Sequence, residues 1–182
     1  MKHLDTNKIK IRTEHLILEP ISMKFKEDIF SEFTKEITTY MYPQPPKDIK
    51  ETEKFILDSI RENHERKNMQ MVILKKGSGE FLGCTGLHKV NTRNPELGIW
   101  IKKSAHGNKY GLETISALKK WADKELNYDY LYYPVAKENI ASRKIPEILG
   151  GKLIKEFVGK NIKGKKMEEV EYRIYKKSNT SK

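Results

Sequence analysis

The residues best suited to chemistry gather around one stretch, residues 94–126. Glu96 opens a short apolar run, and strand alternation puts Glu96, Gly98 and Trp100 on one face. A carboxylate on that face, if it meets an enclosed pocket, has a raised pKa and can serve as a general base. A solvated glutamate at a strand start reads equally well. His88 and His106 rival it, because imidazole titrates near neutrality. A lone histidine is more often structural, so both rank below Glu96. Gly107 and Gly111 punctuate a polar turn that leads into a helix. Such a turn leaves backbone N–H groups unpaired at the positive end of the helix dipole, where a phosphate binds well. The glycines alone favour an ordinary turn that binds nothing. Cys84 sits in the apolar run Phe81 to Leu87 and reads as a packed thiol, not a nucleophile.

These groups need elements to hold them. Pro95 to Ile101 reads as the central strand, and Leu112, Ile115, Leu118, Ala122 and Leu126 as the buried face of a long helix. Ahead of them, Ile9 to Ile11 and Leu16 to Ile21 supply a first strand interrupted at Thr13-Glu14. Ser22 caps a helix with Phe25, Ile29, Phe33 and Ile37 as one buried stripe. Tyr40 to Pro46 is a stiff loop with three prolines; it can wall a substrate pocket or serve as a packed connector. Asp48 and Glu51 have capping-box spacing and start a second helix, marked by Ile49, Phe55, Ile56 and Ile60, that runs to about Arg66. Met69 to Lys75 and Phe81 to Val90 are strands joined by a glycine turn at 76–80. Asp129 to Val135 is a strand, Asn139 to Gly151 a short helix ended by glycine. Lys152 to Val158 and Met167 to Tyr175 are the last strands, joined by a turn at Asn161-Ile162-Lys163-Gly164. Helices unevenly placed among seven strands argue an α+β class in a single domain, 1–182, with loose ends at 1–8 and 176–182.

Composition narrows the function. A chain of 182 residues buries about two-thirds of its unfolded surface as one domain. The net charge of +11 is compatible with nucleic acid, ribosomes, anionic membrane or an anionic cofactor. The lysines form no run of five or more, which argues against a dedicated nucleic-acid arm. One cysteine excludes an internal disulfide and fits a reducing cytoplasm. No signal-peptide core, membrane-length apolar run or Cys/His metal spacing is visible.

The order Glu96-Leu97-Gly98-Ile99-Trp100, His106-Gly107-Asn108-Lys109-Tyr110-Gly111 and Glu113-Thr114 resembles the acetyl-CoA-binding segment of the GNAT superfamily of N-acetyltransferases. The RimJ/RimL-like branch, with its ribosomal-protein N-terminal acetyltransferases, is the most similar. Thr13-Glu14-His15-Leu16-Ile17-Leu18-Glu19-Pro20 resembles that branch's opening strand, and Asn139, Ser142, Glu147, Leu149 and Gly150 keep their places in its N-x-x-S…E-x-L-G segment. In the superfamily's Gln/Arg-x-x-Gly-x-Gly/Ala pattern, His106 stands at the first place, Lys109 at the middle glycine and Gly111 at the last. Pro146 stands where many members carry a tyrosine that protonates the leaving thiolate. The likeness spans about residues 9–175.

The resemblance implies the GNAT fold, a mixed, mostly antiparallel sheet of about seven strands flanked by four helices. It implies acetyl-CoA as co-substrate, no metal, and attack by a primary amine in a ternary complex. The amine belongs to a protein N-terminus or a small molecule. Thioester transfer to an amine needs a base for the ammonium, donors for the carbonyl oxygen and a proton for the sulfur. The family places the acetyl and pantetheine groups along the backbone of Ile99, Trp100 and Ile101, and the pyrophosphate on the N–H groups from His106 to Gly111. Asn139 would bond the pantetheine, or is a plain cap. Ser142 would protonate the sulfur, or is a first-turn serine. Arg143, with Lys144, would pair with CoA phosphates, or is solvated. Tyr40, Tyr42 and His88 are the candidate acceptor contacts. The positive charge weighs against polycationic acceptors. A non-catalytic CoA-binding protein on the same fold is the alternative; membrane binding is not expected, nucleic acid is disfavoured and a homodimer stays open.

Overall fold

A computed structural model describes residues 6–160 and 165–176. The continuous apolar runs pair into one eight-stranded sheet: β1 (Ile11–Arg12), β2 (Leu16–Pro20), β3 (Asn68–Lys75), β4 (Phe81–His88), β5 (Glu96–Ile101), β6 (Leu131–Ala136), β7 (Lys152–Lys160) and β8 (Lys166–Ile174). The spatial order is β1-β2-β3-β4-β5-β6-β8-β7. Every pairing is antiparallel except β5 with β6, which is parallel. The eighth strand comes from the chain's start. β1 and β2 fold back on one another, with Ile11 opposite Leu18, rather than forming one interrupted strand. Thr13 closes that hairpin, because its hydroxyl accepts from the Leu16 N–H at 2.9 Å.

Alternation along the central strands sorts side chains onto two faces. One face carries α3 (Tyr110–Glu125) and α4 (Ile140–Ile148) over Leu82, Leu97, Leu131, Tyr133 and Val170. The other carries α1 (Lys26–Glu32) and α2 (Ile49–His64) over Val72, Phe81 and Cys84. Asp48 caps α2, accepting from Lys50 N–H at 2.8 Å and Glu51 N–H at 3.3 Å. The Glu51 carboxylate returns to the Lys47 N–H at 3.0 Å, one residue earlier than a capping box requires.

The expected first long helix is three pieces: a 3-10 turn at Met23–Phe25, α1, and a second 3-10 turn at Ile37–Tyr40. Phe33 leaves helical geometry at φ −84°, ψ 66°, so Ile37 does not continue the stripe. Ser22 occupies the cap position of the first turn without a side-chain cap bond. At the chain's start, residues 6–8 form a 3-10 turn. Thr6 is buried and donates to the Asn63 carbonyl at 2.5 Å. The expected turn at 161–164 and the ends 1–5 and 177–182 lie outside the described residues.

Candidate active site

The site begins where the sheet comes apart. β5 joins β6 at a single register pair, Glu96 with Tyr132. Tyr132 N–H donates to the Pro95 carbonyl at 2.8 Å. Peptide groups alternate in direction along a strand, so those of Ile99 and Ile101 also face β6, beyond the point where the ladder ends. A gap therefore opens between the two strands, edged by main-chain donors.

At the α3 end of this gap lie a tied loop and a helix start without a side-chain cap. The His106 ring Nε2–H donates to the Ile101 carbonyl at 2.8 Å, tying the loop to the strand. The Asn108 amide donates to the carbonyls of Ala105 and His106 at 3.2 and 3.1 Å. Lys109, at the family's middle glycine, takes the left-handed conformation that glycine would supply, φ 59°, ψ 12°. Gly111 packs tightly: a Cβ there would stand 3.3 Å from Ile145 Cδ1. The first-turn N–H groups of α3 face this loop without a side-chain cap.

On the α4 side, Asn139 is a cap: its carbonyl oxygen accepts from the Ser142 N–H at 3.2 Å. Ser142 Oγ lies 2.8 Å from the Tyr133 hydroxyl. Burial pushes the Tyr133 phenol up to about 12, against the smaller opposing effect of its Ser142 bond, so it stays protonated. Arg143 turns inward, with Nε donating to the Tyr172 hydroxyl at 3.3 Å and Nη1 to the Lys137 carbonyl at 3.0 Å. Pro146 sits in the last turn of α4, and its carbonyl accepts from Gly151 N–H at 2.7 Å.

The opposite face holds a cavity of about 350 Å³. Phe33, Met41, Pro43, Pro46, Phe55 and Trp100 give it apolar walls, and its floor carries Gln70, Thr85 and His88 beside Gly98. The Trp100 ring is held by Phe33 at 5.1 Å and Phe81 at 5.8 Å between centroids. Its side chain thus belongs to the cavity, and its backbone pairs with β4. His88 lies over the strand: a Cβ on Gly98 would stand 3.2 Å from its Nε2, and one on Gly86 2.9 Å. Burial lowers the His88 pKa, opposed more weakly by Glu96 and Glu62, so the ring is neutral at pH 7. Cys84 also borders the cavity, and burial pushes its thiol up, out of the nucleophilic range.

Glu96 shares the His88 face but stays at its rim, paired with Lys89 at 3.1 Å and outside the cavity lining. The aromatic loop does wall the cavity, through Met41, Pro43, Gln44 and Pro46. Its tyrosines point elsewhere. Tyr40 is exposed, and Tyr42 donates to the Glu169 carboxylate across the sheet. Burial, then Glu96, raises the Glu169 pKa, and its bond to Tyr42 opposes this. Tyr133, Gln70 and Thr85 escaped the sequence reading. Only the alternation of β6 could have flagged Tyr133, which pairs with Tyr172 in the buried row. Among the described residues, no cluster of three or more His, Cys, Asp or Glu is placed to hold a metal, and no helix is long and apolar enough to cross a membrane.

Comparisons with known proteins bear on the family and the fold. A family model described as the acetyltransferase (GNAT) domain matches residues 15–152. No curated protein matches the sequence. Among solved structures, a GNAT-family acetyltransferase from Bacillus anthracis is 20% identical at a TM-score of 0.77, over 92% of this chain and 98% of that one. Spermidine N-acetyltransferase from Vibrio cholerae, in complex with CoA and spermine, is 19% identical at 0.77, over 90% and 96%. An acetyltransferase from Salmonella typhimurium that modifies the N-terminal serine of ribosomal protein L7/L12 is 12% identical at 0.81, over 93% and 100%. At these identities the likeness is one of fold.

Proposed function

Because the chain belongs to the GNAT family of acetyltransferases, which use acetyl-CoA as co-substrate, we propose that the gap between β5 and β6 is where it moves an acetyl group to a primary amine. The observation that carries this reading is the two-sided gap: a neutral imidazole and a cavity on one face of the sheet, a serine hydroxyl on the other. The amine enters from the cavity and the thiol leaves on the α4 side.

The residues present fit acetyl-CoA. N–H groups from Gly107 to Gly111 suit its pyrophosphate, with the Lys109 cation beside them. The open edge at Ile99 and Ile101 suits the pantetheine arm and the thioester carbonyl. Asn139 spends its carbonyl on the cap, which leaves its NH₂ for the pantetheine. Arg143 is engaged inside the fold and supplies no phosphate contact in this account.

His88 takes one proton from the acceptor's ammonium, and the neutral amine attacks the carbonyl carbon. The N–H of Ile99 faces the oxygen on which charge develops. As the C–S bond breaks, Ser142 gives its hydroxyl proton to the sulfur, and the proton lost by the new amide nitrogen restores it. Tyr133, protonated and 2.8 Å from Ser142 Oγ, can donate to that oxygen and so keep its hydroxyl proton aimed outward. One proton leaves to solvent through His88, which balances the reaction. Glu96 tunes the face electrostatically from the rim.

The branch resembling RimJ and RimL is the reading supported by segments 94–114 and 139–150. A single domain and a cytoplasmic location are the remaining parts of the proposal. A homodimer would form on the exposed edge of β7, where Leu153, Ile154 and Val158 are uncovered. The test of function is release of CoA thiol from acetyl-CoA with a panel of amines and peptides. Amine-dependent release supports the reading. Binding of acetyl-CoA with no release for any amine overturns it in favour of a non-catalytic CoA-binding protein.

A further inference from the structure

The cavity beside His88 also constrains what is acetylated. We infer, resting on the acetyltransferase reading, that the acceptor is a small primary amine with one aromatic or branched apolar group and no second cation. The walls supply the first half of the argument. Phe33, Phe55 and Trp100 offer ring faces and edges, and Met41, Pro43 and Pro46 complete an apolar sleeve. A charge inside such a sleeve gives up its water for a few neutral polar groups, Gln70 and Thr85 among them. The one carboxylate on the lining, Glu51, is exposed and already accepts from Lys47 N–H. A polyamine's first nitrogen can lose its proton to His88, but its second would have only that one exposed carboxylate on the lining to pair with. The chain's net charge of +11 opposes polycations at long range as well.

Size supplies the second half. A volume of about 350 Å³ lies at the small end of ligand pockets, room for one ring and a short arm. The strap across it is tied down. Tyr42 donates to Glu169, its phenol oxygen lies where a Cβ on Gly159 would be, and Lys165 donates to the carbonyls of Thr39 and Met41 at 3.2 and 3.1 Å. This fastening holds residues 39–42 against β7 and β8, so the strap is not free to swing aside for a bulkier acceptor.

The test uses the full chain with acetyl-CoA. Thiol release is measured with phenylethylamine, tryptamine, spermidine and a short peptide with a free N-terminus. Binding of phenylethylamine to the CoA-saturated protein is measured by calorimetry. The expected result is a kcat/KM at least about tenfold higher for the two arylalkylamines than for spermidine or the peptide. Phe55 is 42% exposed, so Phe55→Glu leaves the fold intact. That variant should lose about tenfold or more on phenylethylamine while binding acetyl-CoA as before. A preference for spermidine or the peptide overturns the acceptor class and leaves the acetyltransferase standing. So does an unchanged selectivity in Phe55→Glu, or no calorimetric binding of phenylethylamine alongside turnover of other amines. No turnover with any amine, with acetyl-CoA still bound, overturns the acetyltransferase reading itself.

Discussion

Replacing His88 by glutamine removes a base while keeping a polar side chain over Gly98. The ring lies in the crease between Gly86 and Gly98, where the absence of two Cβ atoms makes its space. Burial is the leading influence on its pKa and lowers it, so in the folded protein it is a base through the whole neutral range. A positioned base contributes roughly 10²–10⁴ in rate, or about 2.7–5.4 kcal/mol of barrier at 1.36 kcal/mol per decade. His88→Gln should therefore lower kcat about a hundredfold or more, with KM for acetyl-CoA unchanged. The wild-type kcat/KM should rise with pH through a limb below the imidazole's ordinary 6.5, and the variant should lack that limb. Stability carries the same signature. The folded pKa is depressed, so below pH 6.5 the unfolded chain binds more protons than the folded one. Stability present above 6.5 is lost as pH falls through the folded pKa, and His88→Gln should flatten that slope. The assay is steady-state thiol release from pH 5 to 9, with denaturant melts at the same pH values. If His88→Gln keeps more than a third of wild-type kcat and the same acidic limb, the base lies elsewhere, with Glu96 next to test.

Other substitutions probe other parts of the account. Ser142→Ala should lower kcat by about 10²-fold, and Tyr133→Phe by less, since it disturbs only the aim of the serine; equal and full activity in both would refute the proton route. Lys109→Gly relieves a left-handed lysine, φ 59°, and should raise stability by about 1 kcal/mol in a thermal melt; a lower Tm contradicts the strain argument. Gly159→Ala puts a Cβ into the Tyr42 phenol and the Glu169 carboxylate, and should cost about 1–3 kcal/mol and loosen the strap to proteolysis; a neutral result denies that contact. Asp48→Ala removes the α2 cap and should cost about 1 kcal/mol by urea denaturation, whereas no change would mean that water replaces it.

Local chemistry was readable in the sequence. Asp48 three residues before Glu51, the glycine turn at 76–80 and the apolar stripe from Leu112 to Ala122 each depend on neighbours within a turn or two, and each stands as an element. What was not readable depends on distance. Phe25, Ile29, Phe33 and Ile37 have helical spacing, yet Phe33 leaves the helix because its ring finds Trp100, 67 positions away in the chain and 5.1 Å in space. The loop at Tyr42 reads equally as a pocket wall or a packed connector, because the partner that fastens it, Glu169, is 127 residues on. Alternation put Glu96 and His88 on accessible faces but gives the face of a side chain, not its depth. Register put the two side by side and left the carboxylate at the rim with Lys89. The opening between β5 and β6 has no local code, since it arises from where β6 departs after a single pair.

A crystal structure with CoA addresses the central claim most directly. The account predicts the pyrophosphate on the N–H groups between Gly107 and Gly111, the pantetheine running along Ile99 and Ile101, and the sulfur on the α4 side within reach of Ser142 Oγ. A cleft left empty in the presence of the cofactor, filled by the Lys109 side chain, or carrying its sulfur on the His88 face would contradict it.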